Sequence, residues 1–191
     1  MIGRARSRLG CERGYSLIEM LTVMVIMGVV MGSLSTVFVQ ASNSETDMSN
    51  RFQAQLTAKL GLDKLRREVH CASVATPTGS TSSVTLTLPS YCKTGSGSIT
   101  WCTRSNGTGR YALYRVAGAT CTGGVRWADY LVPSSTAAAC SGALCIFSYT
   151  AQSTSSLAKL HVDVPVNVNP AKTVDLYELV DDIALRNSSR S

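Results

Sequence analysis

Histidine is scarce in this 191-residue chain: His70 and His161 are the only two, and they lack the spacing of a metal-ligand pair. The seven cysteines contain no CxxC, so neither a zinc site nor any other metal site is expected. No motif surrounds any serine, and two histidines are a thin basis for a hydrolytic triad. The chain therefore reads as a non-enzyme without a cofactor. Beyond residue 14 no basic cluster is interleaved with aromatics, which argues against a nucleic-acid surface. Proline is absent from residues 40–70, and Gly61 is the only weak point for a helix there.

Against these absences stands one long apolar run. Residues 17–39 are nearly all apolar or small. That is enough to cross a bilayer core as a single helix at about 1.5 Å per residue. One carboxylate, Glu19, sits near its start, and no further charged residue follows until Glu45. An acidic residue at the centre of a membrane span costs roughly 2.5–3.5 kcal/mol. Something must offset such a cost, so Glu19 is a functional candidate. The formal charge of +6 is unevenly spread: residues 1–14 hold Arg4, Arg6, Arg8 and Arg13 against Glu12. A basic leader before an apolar run orients the leader to the cytoplasm and the remainder outward.

Cysteine placement fits that orientation. Cys11 precedes Gly14, while Cys71, Cys92, Cys102, Cys121, Cys140 and Cys145 all follow the apolar run. A cut after Gly14 leaves these six, an even set available for disulfides in an oxidising compartment. Sequence alone leaves their connectivity open. Proximity favours Cys140–Cys145, and Cys92–Cys102 across a turn.

The apolar run ends in no helix breaker. A single helix is expected from about Ser16 to about Val74, on the order of 85–90 Å long at about 1.5 Å per residue. Its second half is amphipathic. Met48, Phe52, Leu56, Leu60, Leu65 and Val69 are expected to form its buried stripe. Thr76-Pro77-Thr78-Gly79-Ser80 stops the helix, and the period then changes from about 3.6 to about 2. Strands are expected at 84–88, 98–102, 111–116, 125–127, 144–149 and 157–165, with a turn at 105–109. Residues 175–185 form a last strand or a short helix. Strands joined by turns without intervening helices give an antiparallel sheet. The expected fold is α+β: a long N-terminal helix, membrane-spanning in its first half, packed by its amphipathic half on a C-terminal antiparallel β-sheet head. The domains are expected at residues 1–14, a cytoplasmic leader; 15–40, a membrane-length helix; 41–75, its amphipathic continuation; and 76–191, a β-rich extracytoplasmic head.

Arg13-Gly14-Tyr15-Ser16-Leu17-Ile18-Glu19-Met20-Leu21 resembles the class III signal of type IV pilins and type II secretion pseudopilins. The resemblance implies cleavage by prepilin peptidase between Gly14 and Tyr15, and N-methylation of Tyr15. It implies further that the leader is removed and that 15–40 is the transmembrane and assembly helix. Tyr15 stands where the family most often has phenylalanine. Glu19 matches the family's glutamate at the fifth mature position. Two buried unpaired charges are costly, so pairing of Glu19 with a neighbouring subunit's new N-terminal amine relieves both and sets the register of one helix against the next. The resemblance further implies a structural minor pilin or minor pseudopilin in a pilus or pseudopilus. Its partners would be other such subunits, membrane lipid and an assembly platform in the inner membrane. The closing Asp182-Ile183-Ala184-Leu185-Arg186-Asn187 is similar to the tail of longer minor subunits.

Other features have plainer readings. Asp175, Glu178, Asp181 and Asp182 match no calcium-loop spacing and read as a solvated turn. His70, beside Cys71 at the helix end, reads as structural. Trp101, Trp127, Tyr111, Tyr114 and Tyr130 read as sheet core or cross-strand pairs. Asn106-Gly107-Thr108 reads as a hairpin turn. Two alternatives differ in class: a membrane-anchored pilin-like receptor for DNA uptake or adhesion, and an uncleaved signal-anchor protein. Loss of DNA binding with rising salt would mark the first, and an intact residue 1 the second.

Overall fold

The computed structural model describes residues 14–169, 171–172 and 175–188; the expected leader before Gly14 lies outside them. One helix, α1, spans Leu17–Cys71. The chain divides into two compact units, the first ending at Glu45 and the second beginning at Thr46. In the first unit the described residues are helix preceded by Gly14–Ser16, and every one of them is exposed.

The second unit holds the end of α1 and eleven strands among the described residues. These are β1 (Val74–Thr76), β2 (Gly79–Thr81), β3 (Ser83–Leu88), β4 (Gly97–Ser105), β5 (Tyr111–Ala117) and β6 (Val125–Leu131), then β7 (Ala139–Cys140), β8 (Ala143–Leu144), β9 (Phe147–Thr150), β10 (Lys159–Val166) and β11 (Tyr177–Ala184). Strands β1, β3, β4, β5 and β6 are successive antiparallel neighbours. β10 is the branch point. One of its edges pairs with β11 along its whole length, Lys159↔Ala184 to Val166↔Tyr177. The other edge is shared between β9, at Lys159–Val162, and the end of β6, at Val166. Two backbone bonds fill the gap between them: Asp163 N to Ile146 O and Val132 N to Pro165 O. β2 pairs with the free edge of β9, and β7 and β8 form a separate small hairpin.

The expected strands fall close to these bounds. Residues 105–110 form the connection between β4 and β5, with Asn106 N bonded to Arg110 O. Of residues 175–185, Tyr177–Ala184 resolve as strand because Tyr177, Leu179 and Ile183 alternate with Glu178, Val180 and Asp182 along β11. The expected solvated turn at Asp181-Asp182 is thus corrected: both residues lie inside a strand.

The buried face of the helix is a second correction. Met48, Phe52, Leu56 and Leu60 are exposed, Phe52 by 65% and Leu60 by 54%. The face packed on the sheet is Ala54, Ala58, Gly61, Leu62, Leu65, Glu68 and Val69. The physical reason is close approach. A Cβ at Gly61 would stand 3.4 Å from Ala128 Cβ and 3.6 Å from Leu113 Cδ2, on β6 and β5. Small side chains bring the helix axis near the sheet, and Leu65 and Val69 then reach the core with Leu86, Trp101, Leu131, Leu160 and Val162.

Three disulfides staple this unit: Cys71–Cys92, Cys102–Cys121 and Cys140–Cys145. The pairing Cys92–Cys102 expected from proximity does not form. Cys102 lies mid-strand on β4, opposite Tyr114, and its side chain meets the loop that follows β5. Cys92 instead ties the segment after β3 to the last residue of α1. That loop after β5 ends at Gly124, where φ is +85° and a Cβ would stand 2.4 Å from Arg115 O. Glycine is required there both by conformation and by space.

Candidate processing and assembly site

The N-terminal candidate residues lie in one short stretch. Gly14, Tyr15 and Ser16 precede the first helical residue, Leu17. Tyr15 is 78% exposed, and no neighbouring atom lies within 4 Å of where a Cβ on Gly14 would be. The Gly14–Tyr15 bond is thus non-helical and open on its described side. Ser16 O accepts from both Glu19 N and Met20 N, at 3.0 and 3.2 Å, which starts the helix. Ser16 and Glu19 stand three apart, the Ser-x-x-Glu spacing of a helix start. Glu19 occupies the first turn, where the positive end of the helix dipole favours an anion.

Beyond Glu19 the helix is suited to an apolar solvent. It is long and apolar enough to cross a membrane, and none of its apolar window is buried. Its hydroxyls are bonded within the helix itself. Thr22 donates to Glu19 O, Ser33 to Val30 O, Ser35 to Met31 O and Thr36 to Ser33 O, all at 2.8–2.9 Å. Each hydroxyl is thereby satisfied without water, as a bilayer core demands. Glu19 is the only charged side chain from Gly14 to Ser44. What it offers chemically is one carboxyl group on a rod with no other charged residue up to Ser44.

In the head the other candidates separate. Asp181 pairs with Arg66 at 2.9 Å. Asp182 pairs with Lys159 and His161. Asp175 pairs with Arg51, and Glu178 accepts from Ser134 and Thr136. The four carboxylates thus hold four different partner sets rather than one centre. His70 Nδ1 lies 3.0 Å from Ala184 O, joining the helix end to β11. Trp101 and Trp127 stack at a tilt, with centroids 6.2 Å apart. Arg104 lies over Tyr114, 3.5 Å from the ring centroid. Asn106 donates to Asp129 from the turn before β5.

Two polar centres escaped sequence reasoning. Glu68 is fully buried on the helix face that meets the sheet. Its Oε2 accepts from Trp101 Nε1 at 2.7 Å, and its Oε1 accepts from Arg115 Nε at 2.8 Å and faces Lys64 Nζ at 3.2 Å. Its position three after Leu65 and one before Val69 was the available signal. The second centre is Asp163, buried on β10 within reach of Thr136. It carried no sequence signal, because its partners come from a loop and from β11.

A family model described as the prokaryotic N-terminal methylation motif matches residues 10–35, which is the type IV pilin and pseudopilin signal. The match takes in Gly14, Tyr15, Glu19 and most of the apolar run, and leaves the head outside it. No curated protein and no solved structure matches the chain.

Proposed function

We propose that this chain, whose methylation motif marks a pilin-like substrate of prepilin peptidase, is a structural minor subunit of a type IV pilus or a type II secretion pseudopilus. Prepilin peptidase cuts between Gly14 and Tyr15 on the cytoplasmic side, and Tyr15 becomes the N-methylated first residue. The precursor is a single-pass protein of the cytoplasmic membrane, with its leader inside and residues 76–191 outside. Assembly lifts the apolar helix from lipid into a bundle of like helices, at a platform in the inner membrane. The three disulfides of the head suit the oxidising side of that membrane.

The observation that carries this reading is the methylation motif joined to an apolar helix with a single carboxylate five residues after the glycine. Cleavage creates a cationic amine at Tyr15, four residues from Glu19. In lipid or in a helix bundle each charge alone is costly, and pairing across neighbouring subunits offsets both. Register then follows, since one residue of slip along a helix separates the pair by about 1.5 Å.

Glu19→Ala tests this directly. Cleavage at Gly14 should persist while entry into fibres falls, read by fractionating sheared fibres from membranes. Normal incorporation of the variant at normal rates would sink the register role.

A further inference from the structure

The segment of residues 132–138 joins β6 to the β7–β8 hairpin and lies against the face of β10 and β11 opposite to Leu160, Val162 and Val164. Thr136 and Ser134 meet Asp163 of β10 and Glu178 of β11 there. Asp163 is only 3% exposed. It stands opposite Val180 in the ladder, and Glu178 stands opposite Pro165, two residues along. Thr136 Oγ1 is hydrogen-bonded to Asp163 Oδ2 and lies 2.6 Å from Glu178 Oε1. Ser134 Oγ lies 2.7 Å from the same Oε1 and 3.0 Å from Thr136 Oγ1.

Counting donors shows a deficit. Ser134 Oγ already accepts from Thr136 N and Ala137 N, so its single proton goes to Glu178. Thr136 also has one hydroxyl proton, yet its oxygen touches two carboxylates. With both ionised, one of those contacts would set lone pair against lone pair beside the buried Asp163, although Thr136 and Glu178 are themselves exposed. Asp163 Oδ1 is likewise buried, with no hydrogen-bond partner among the described residues. An orphan oxygen is far less costly on a neutral acid than on an anion.

We propose that Asp163 and Glu178 hold one proton between them through Thr136, and that this proton latches the 132–138 loop onto β10 and β11. Asp163 Oδ2–H donates to Thr136 Oγ1, Thr136 donates to Glu178 Oε1, and Ser134 donates to that same oxygen. Each of the three contacts to a carboxylate then has its proton, and only the 3.0 Å approach of Ser134 to Thr136 is left without one. The electrostatics agree. Burial pushes the Asp163 carboxyl up, and the Glu178 charge adds to that. Hydrogen bonds from Thr136 and Ser134 hold Glu178 below its ordinary range. Among the described residues of β10 and β11, the other titratable groups on this face are His161 and Asp182. His161 and Lys159 are themselves bonded to Asp182. β9 and the loop bring no charge to this face. The two carboxylates meet through the Thr136 hydroxyl, and among the described residues no group of three or more His, Cys, Asp or Glu is placed to hold a metal ion.

The latch has a sign. The folded chain favours neutral Asp163, so this contribution is full at low pH. It is lost as pH rises from the ordinary carboxylate value of 3.8 through the higher folded one. Ionisation sets two anions across one hydroxyl and frees the loop that leads to the Cys140–Cys145 hairpin.

The test is hydrogen exchange of the Thr136 and Ala137 amides in the full chain, from pH 4 to pH 8, in EDTA and then with added calcium. In the wild type the local opening constant should rise with pH, by at most about tenfold per pH unit, between the ordinary carboxylate value of 3.8 and the higher folded one, and level off above it, beyond the ordinary chemical rate. Asp163→Asn supplies a permanent donor and should make that profile flat, with protection at pH 8 above wild type. Glu178→Gln removes the second anion and should make the profile shallower, burial of Asp163 remaining, which keeps the test open if the first variant folds poorly. A wild-type profile without pH dependence, or protection in Asp163→Asn below wild type at every pH, would overturn the latch. Protection that rises saturably with calcium would overturn it in favour of a cation site.

Discussion

Removing the carboxylate of Glu68 should be the most damaging single polar change in the head. In Glu68→Ala, Trp101 Nε1 loses its acceptor while remaining fully buried. An orphaned buried donor costs about 1–3 kcal/mol. Arg115 and Lys64 lose their counter-ion, and breaking a buried pair from one side costs about 3–5 kcal/mol when the remaining charge is fully enclosed. Here their side chains keep 20% and 19% exposure, so water recovers part of that loss. The net expectation is about 3–5 kcal/mol, a large share of the roughly 5–15 kcal/mol that holds a domain together. Glu68→Gln should cost less, about 2–3 kcal/mol, because its amide oxygen still serves Trp101 while its NH2 faces the Arg115 and Lys64 donors. Denaturant unfolding in detergent, followed by tryptophan fluorescence, measures both, since the reporter Trp101 is itself bonded to Glu68. Salt should alter the difference little, as the site is shielded from bulk screening. A loss below about 0.5 kcal/mol in Glu68→Ala would refute the reasoning, because such a value belongs to ordinary surface positions.

The corrected helix face gives a paired prediction: Leu65→Ala should cost about 2–5 kcal/mol, whereas Leu60→Ala should stay within about 0.5 kcal/mol, both by the same unfolding assay. Acid stability follows from Asp182, which His161 first and Lys159 second hold below its ordinary value of 3.8. Its contribution is therefore present above that value and is lost as pH falls through the lower folded one. Replacing His161 and Lys159 together by Ala should flatten this part of the stability profile below pH 4, and an unchanged profile would discount the pairing.

What the sequence made legible was whatever is encoded along one stretch of chain. The Gly14–Glu19 signal, the apolar run and the alternation of β3, β4, β5 and β10 each need only local order. The misread helix face shows the limit. Met48, Phe52, Leu56 and Leu60 are the larger apolar residues, but burial went to Ala54, Ala58 and Gly61, because closeness to Leu113 and Ala128 decided it. Disulfide pairing was hidden for a similar reason. Cys71 and Cys92 meet only because β3 returns toward the helix end, and Cys102 reaches Cys121 only across the sheet surface. Asp163, Glu178 and Thr136 come from three separate segments, so no spacing announced them.

The central claim is that this chain is matured at Gly14–Tyr15 and enters a fibre as a subunit. Mass spectrometry of the N-terminal peptide, from protein purified with its native membrane machinery, tests it most directly. The account predicts a peptide beginning at Tyr15 and carrying one added methyl group. A peptide beginning at Met1, with the leader intact, would contradict it.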